Sequence, residues 1–252
     1  METNDSVVRQ DNIDTYMHVS SLETPTGGPT EPKSKSGAGG DVGPRSGSPR
    51  PTQADRSART RSALLESAAR GLSRYGYGNL ILERVASGAG YTRGALYHQF
   101  KDKEDLALAV IEWVDRTWRE EVGRLIEQEP DPVLALIAMA RGHAVYCRRD
   151  VARVAMALRL EFSGQDHPVG RHLEQVSESL VERCTRLIGA GRRAGTIPAG
   201  PPARAVALAY VGALEGTVIG LAGQAPHDEV LAARVAAGVL GLSRVPSAAR
   251  CS

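Results

Sequence analysis

A chain of 252 residues, 42% of them hydrophobic, is long enough to bury a core in one or two domains, and a formal net charge of only +2 means that any strongly basic surface must be local. Aromatic residues make up just 4%, which disfavours a β-sandwich and favours helix. The cysteines Cys147, Cys184 and Cys251 are far apart with no CxxC pair, so neither a zinc site nor a disulfide framework is expected, and a reducing, cytoplasmic setting is.

The N-terminal METNDSVVRQDNIDTYMHVSS lacks the continuous apolar stretch of a secretory signal. Residues 1–54 include TPTGGPTEPKSKSGAGGDVGPRSGSPRPT, whose ordering would cost backbone entropy for little burial, and a disordered tail is expected there. Its five Lys/Arg against seven Asp/Glu argue against a DNA-hugging arm.

From residue 55 the pattern changes. RTRSALLESAARGLSRYGYG places Leu64, Leu65, Ala68, Ala69 and Leu72 at spacings of three and four, which predicts an amphipathic helix ended by Gly76. NLILERVASGAGY predicts a second, short helix burying Leu82, Val85 and Ala86 and breaking at Gly88-Ala89-Gly90. Thr92 suits the N-cap of a third, in which Leu96 and Phe100 point inward while Arg93, Gly94, Tyr97 and His98 lie on the other side. Two short helices joined by a glycine-containing turn make a helix-turn-helix, whose second helix presents its N-terminal residues to the major groove. Arginine matches guanine O6 and N7 as a fork, and tyrosine or histidine reaches phosphate. Residues 55–103 hold nine Lys/Arg against four Asp/Glu, so the positive charge is concentrated here.

These residues resemble the tetracycline-repressor (TetR/AcrR) family of bacterial transcription regulators, over roughly 57–112 and above all in VASGAGYTRGALYHQFKDKEDL. The resemblance implies DNA-facing roles for Thr92, Arg93, Gly94, Tyr97 and His98, with Lys103 as a phosphate contact. Asp102 can cap the fourth helix, with Asp105 three residues on. One departure stands out: where the family opens its second helix with a Thr-Ser pair, this chain has Leu80 and Ile81, leaving Asn79 as an alternative cap.

The remainder reads as helix throughout. The fourth helix runs to Glu129-Pro130, and Asp131-Pro132 starts a fifth that aligns Met139, His143 and Cys147, a stripe that suits core or cavity. A sixth is expected near Ala152–Phe162, and a seventh from about His167 to Arg193 with Leu173, Val176, Leu180, Cys184 and Leu187 as its buried line. His167 and His172, five apart with no acid nearby, make a poor zinc site. GAGRRAG at 189–195 lacks the spacing and preceding strand of a dinucleotide fingerprint. No metal, cofactor or catalytic constellation is expected, and no enzyme activity.

AVALAYVGALEGTVIGLAG repeats Gly212, Gly216 and Gly220 every four residues, a strip on which another helix can approach closely. Glu215 in its middle argues against a membrane span. Paired with DEVLAARVAAGVLGL, it fits a homodimeric four-helix bundle, as the resemblance also implies.

The expectation is an all-α protein of about nine helices: a tail over 1–54, a helix-turn-helix domain over 55–108, a helical ligand-binding and dimerisation domain over 109–246, and a tail over 247–252. Candidate lining residues for its ligand cavity are Trp113, Met139, His143, Arg159 and Phe162. The expected partners are a near-palindromic DNA operator, a second copy of the chain and a small-molecule effector that releases a repressor by tilting the fourth helix. An activator or architectural DNA binder, or a helical small-molecule module without a DNA role, is the alternative.

Overall fold

The computed structural model describes residues 52–221 and 223–246, and among these every regular element is a helix. The tail expected over 1–54 lies outside the described residues as far as 51, as does the tail from 247. Residues 52–54 instead open the first helix, α1 (Gln53–Tyr75), because Thr52 and Asp55 form a capping box: the Thr52 hydroxyl accepts from the Asp55 N–H at 3.1 Å and the Asp55 carboxylate accepts from the Thr52 N–H at 2.8 Å. The stripe Leu64, Leu65, Ala68, Ala69 and Leu72 is buried as its spacing predicts. Gly76 ends α1 at φ 73°, a left-handed value that glycine adopts without strain.

The short helices α2 (Leu82–Gly88) and α3 (Arg93–Gln99) follow. Leu80 is not an exposed stand-in for a capping hydroxyl but a core residue, and a Cβ on Gly71 would lie 2.7 Å from its Cδ1. Leu82, expected in the core, is only half-buried. Ile81 holds the N-cap position with no side-chain bond, while the Asn79 amide donates to the Tyr75 carbonyl at 3.2 Å instead of capping α2.

α4 begins at Lys103, capped by Asp102, and runs through a π-helical turn (Arg119–Gly123) into Arg124–Glu127 without leaving helical backbone. The boundary expected between 108 and 109 therefore falls inside one continuous helix. Then come α5 (Pro132–Tyr146), a 3₁₀ turn (Asp150–Arg153) leading into α6 (Val154–Glu161), α7 (Pro168–Arg193), α8 (Ala203–Leu221) and α9 (His227–Val239), which makes nine helices among the described residues. The α1–α3 head packs on α4 and α6, while α5 and α7–α9 form the body.

In the body, the Arg148 guanidinium at the end of α5 donates to both oxygens of the buried Asp228 at 2.9 Å and to Glu229 at 2.5 Å, fastening the start of α9. Arg148 holds the Asp228 carboxyl below its usual pKa. α8 is long and apolar enough to cross a membrane by length and composition, but Tyr210 on it is fully buried and donates to the Leu136 carbonyl on α5.

The two residues at the start of α2 should separate in urea denaturation. Leu80→Ala is expected to cost about 2–3 kcal/mol as a core truncation. Ile81→Thr, which supplies the missing cap, is expected to add about 1 kcal/mol. Equal, small effects would contradict the assignment of Leu80 to the core.

Candidate functional site

The outer face of α3 is built by its cap and its two inward anchors. The Thr92 hydroxyl accepts from the Ala95 N–H at 3.2 Å, Leu96 and Phe100 are buried, and Arg93, Gly94, Tyr97 and His98 are left together on the surface. Arg93 is pinned on that face: one guanidinium nitrogen lies 2.7 Å from Glu83 on α2, another 3.4 Å from the Tyr97 hydroxyl, and the group sits 5.3 Å from the Tyr97 ring centre. A Cβ on Gly94 would meet nothing closer than the Thr92 hydroxyl at 3.8 Å, so packing within the chain does not demand glycine there.

Lys103 is engaged within the chain. Half-buried, its ammonium donates to the Gly78 carbonyl at 2.9 Å and lies 4.7 Å from the Tyr77 ring centre, tying the start of α4 to the α1–α2 loop. The same loop is gripped from α6, where the Glu161 carboxylate accepts from the Tyr77 N–H at 2.6 Å and the Gly78 N–H at 2.7 Å. Glu161 approaches so closely that a Cβ on Gly76 would lie 2.6 Å from its oxygen. Phe162 belongs to this junction rather than to a cavity: it meets the Tyr77 ring edge-on at 5.2 Å and stacks on His167 at 4.5 Å. His167 also caps α7 through Nδ1, which accepts from the Val169 N–H. Among the described residues no cluster of three metal-ligating side chains occurs.

The body encloses a cavity of about 320 Å³ walled by α4, the α6 segment, α5, α7 and α8. Ile111, Val114, Trp118, Met156, Val176 and Leu180 give it an apolar wall. Of the residues expected to line it, His143 and Arg159 do, and Met139 borders a small adjoining void. Trp113 does not, because Trp118 occupies the cavity-facing side of α4 just where the π-helical turn begins. Val176 and Leu180, expected as buried core, face the cavity instead. Sequence reasoning missed the charged residues Asp115, Arg119, Glu127, Arg183, Arg186 and Glu215 of this wall; of these Glu215 had a signal, a lone acid in an otherwise apolar helix, and it pairs with Arg159 at 2.6 Å. The Arg159 Nε is buried without a hydrogen-bond partner.

His143 sits at the inner end of this wall. Its Nδ1 accepts from the Trp118 indole N–H at 3.1 Å, so the neutral ring carries its proton on Nε2. Burial pushes its pKa down to about 4, and pushes the neighbouring Cys147 thiol up to about 12.

On the opposite side of α8, Gly212, Gly216 and Gly220 are exposed, and a Cβ on any of them would meet no atom within 4 Å. Leu208 and Ile219 beside them are 52% and 66% exposed, and Val230 on α9 is 43% exposed. These residues form an apolar face without a partner among the described residues.

The depressed His143 pKa has a sign. Between its ordinary 6.5 and about 4 the unfolded chain binds a proton that the folded chain refuses, so stability is full above that window and falls as the pH drops through it. Asp150 and Asp228, held low by arginines, lose their contributions at lower pH, and the desolvated Asp115, raised, acts in the opposite sense. His143→Gln keeps an acceptor for Trp118, and its melting temperature is expected to fall less steeply across that window than that of wild type. An unchanged slope would show that the ring is not shielded from water.

The model for bacterial regulatory proteins of the tetR family matches residues 64–110, from the middle of α1 through α3 into the first half of α4. The HTH-type transcriptional repressor AcnR of Corynebacterium glutamicum is 30% identical over 152 residues, covering 57% of this chain and 74% of its own. The A-factor receptor protein of Streptomyces griseus is 29% identical over 128 residues, 50% of this chain and 44% of its own. Among solved structures, AibR in complex with isovaleryl coenzyme A and operator DNA superposes with a TM-score of 0.60 at 19% identity, over 72% of this chain and 96% of AibR. The regulator FadR from Bacillus subtilis in complex with stearoyl-CoA does so with a TM-score of 0.61 at 17% identity, over 71% and 97%. At such identities these two establish the shared fold. With the helix-turn-helix geometry, the family match and the extent of the AcnR alignment together, the chain belongs to the tetR family of bacterial regulatory proteins.

Proposed function

We propose that this protein is a transcriptional repressor that binds a near-palindromic DNA operator as a homodimer and leaves it when a small molecule fills the body cavity. The observation that carries the reading is the α3 face, where Arg93, braced by Glu83 and Tyr97, stands exposed beside Thr92, Gly94 and His98 in a locally basic head. Lys103 would act from behind this face, holding the loop and α4 in place, with two ammonium protons left for a phosphate.

The unpartnered strip of Gly212, Gly216 and Gly220 with Leu208, Ile219 and Val230 is where a second copy would dock, its α8 and α9 against these two. Such a two-fold dimer sets its recognition helices about one DNA turn, roughly 34 Å, apart. We assign the reading head to 55–108 and the effector and dimer functions to 109–246, with α4 shared between them. Repression follows the name of AcnR, and an effector in the body follows the titles of the AibR and FadR complexes. Release would run through α6, which carries Arg159 at the cavity and Glu161 at the head.

Fluorescence anisotropy on DNA from upstream of the protein's own gene, with a salt titration, tests the DNA role. Wild type is expected to bind tightly with a steep salt slope, and the Arg93→Ala, Tyr97→Ala double variant to lose roughly 1–3 kcal/mol per base contact removed. Equal, weak binding by both would contradict DNA reading by α3. Glu83→Gln frees Arg93 from its brace, and is expected to raise affinity for unrelated DNA and narrow the ratio of specific to non-specific binding.

A further inference from the structure

The charges around the cavity are unbalanced in a way that bears on what enters it. Each acid in its wall is already taken by an arginine: Asp115 by Arg119 at 2.5 Å, Glu127 by Arg183 at 2.9 Å and Glu215 by Arg159 at 2.6 Å. The remaining arginine of the wall, Arg186, lies one turn beyond Arg183 on α7, is exposed, and pairs with no acid among the described residues. Glu182, a turn before it, stays beyond ion-pair distance, although its spacing would permit a pair. Deeper in, the donors are also in surplus: the Arg159 Nε–H has no partner, and the His143 Nε2–H has only the Cys147 sulfur at 3.7 Å.

A cationic guest would therefore meet four guanidiniums, with all three acids of the wall already engaged by three of them. A neutral guest would gain nothing from Arg186. An anion whose apolar body lies along Trp118, Met156 and Leu180 would complete the charge pairing and leave its charge at the wet rim, where desolvation costs least. We infer that the cavity takes an amphipathic organic anion, an apolar body ending in an acid group held at the rim by Arg186. This rests on the reading of the cavity as the effector site.

The test uses the full chain and three probes that share one chain and differ in head group: decanoate, decanol and decyltrimethylammonium. Binding is read by tryptophan fluorescence, to which Trp118 in the cavity wall reports, and by thermal shift. At low salt decanoate is expected to bind roughly fivefold more tightly than decanol, the size of one exposed charge pair, with the ammonium weakest. Arg186→Gln, an exposed and unpaired position, is expected to abolish the advantage of decanoate and leave decanol unchanged. Decanol or the ammonium binding as tightly as decanoate, or a preference that survives Arg186→Gln, would overturn the anion assignment while leaving the cavity as an effector site. Failure of all three probes to bind would remove the cavity reading and the anion assignment with it.

Discussion

The grip of the Glu161 carboxylate on two successive backbone amides, those of Tyr77 and Gly78, is the contact on which the arrangement of head and body depends. An ionised carboxylate accepting two short N–H bonds makes a stiff, oriented link. It constrains its surroundings: Gly76 can carry no side chain beneath it, and Tyr77 is locked against Phe162 and His167. Lys103 closes the other side of the loop by donating to the Gly78 carbonyl, so the loop is held at Tyr77 and Gly78 by α4 and α6 at once.

α6 stands between this grip and the cavity. Arg159 and Glu161 are two residues apart, about 200° around a helix, so one reaches into the cavity toward Glu215 while the other reaches the head. An occupant that displaces or re-pairs Arg159 pushes on the same short helix that holds Tyr77 and Gly78. In the proposed release, the route from the cavity to α3 would consist of one carboxylate, one loop and α1, with α4 as a second support through Lys103. Arg74 and Ser73, bonded to Asp150 at the foot of α6, tie α1 to that segment independently.

The head was legible in the sequence because its elements are set by local rules. A three-and-four apolar spacing, a Thr cap, an Asp cap and a glycine stop gave α1, α3 and the start of α4, with Leu96 and Phe100 inward and Arg93, Tyr97 and His98 outward. The cavity was only partly legible, since which face of a long helix is hollow depends on tertiary packing. Trp113 and Trp118 both fit an apolar α4, and the π-helical turn after Trp118 that changes the helix register has no clear sequence mark. Phe162 follows Arg159 closely in sequence, yet as the residue just past the end of α6 it packs into the junction against Tyr77. The burial of Leu80 was not legible, because the space over Gly71 that it fills is created by a residue nine positions earlier, on α1.

The central claim is that Glu161 fastens the head to the body, and amide hydrogen exchange measures this most directly. In wild type the Tyr77 and Gly78 amides are expected to exchange slowly for a loop. In Glu161→Gln, whose side chain offers one acceptor oxygen where two are needed, they are expected to exchange much faster, with the first turn of α4 loosening beside them and α7–α9 unchanged. Equal protection of Tyr77 and Gly78 in both proteins would contradict the claim.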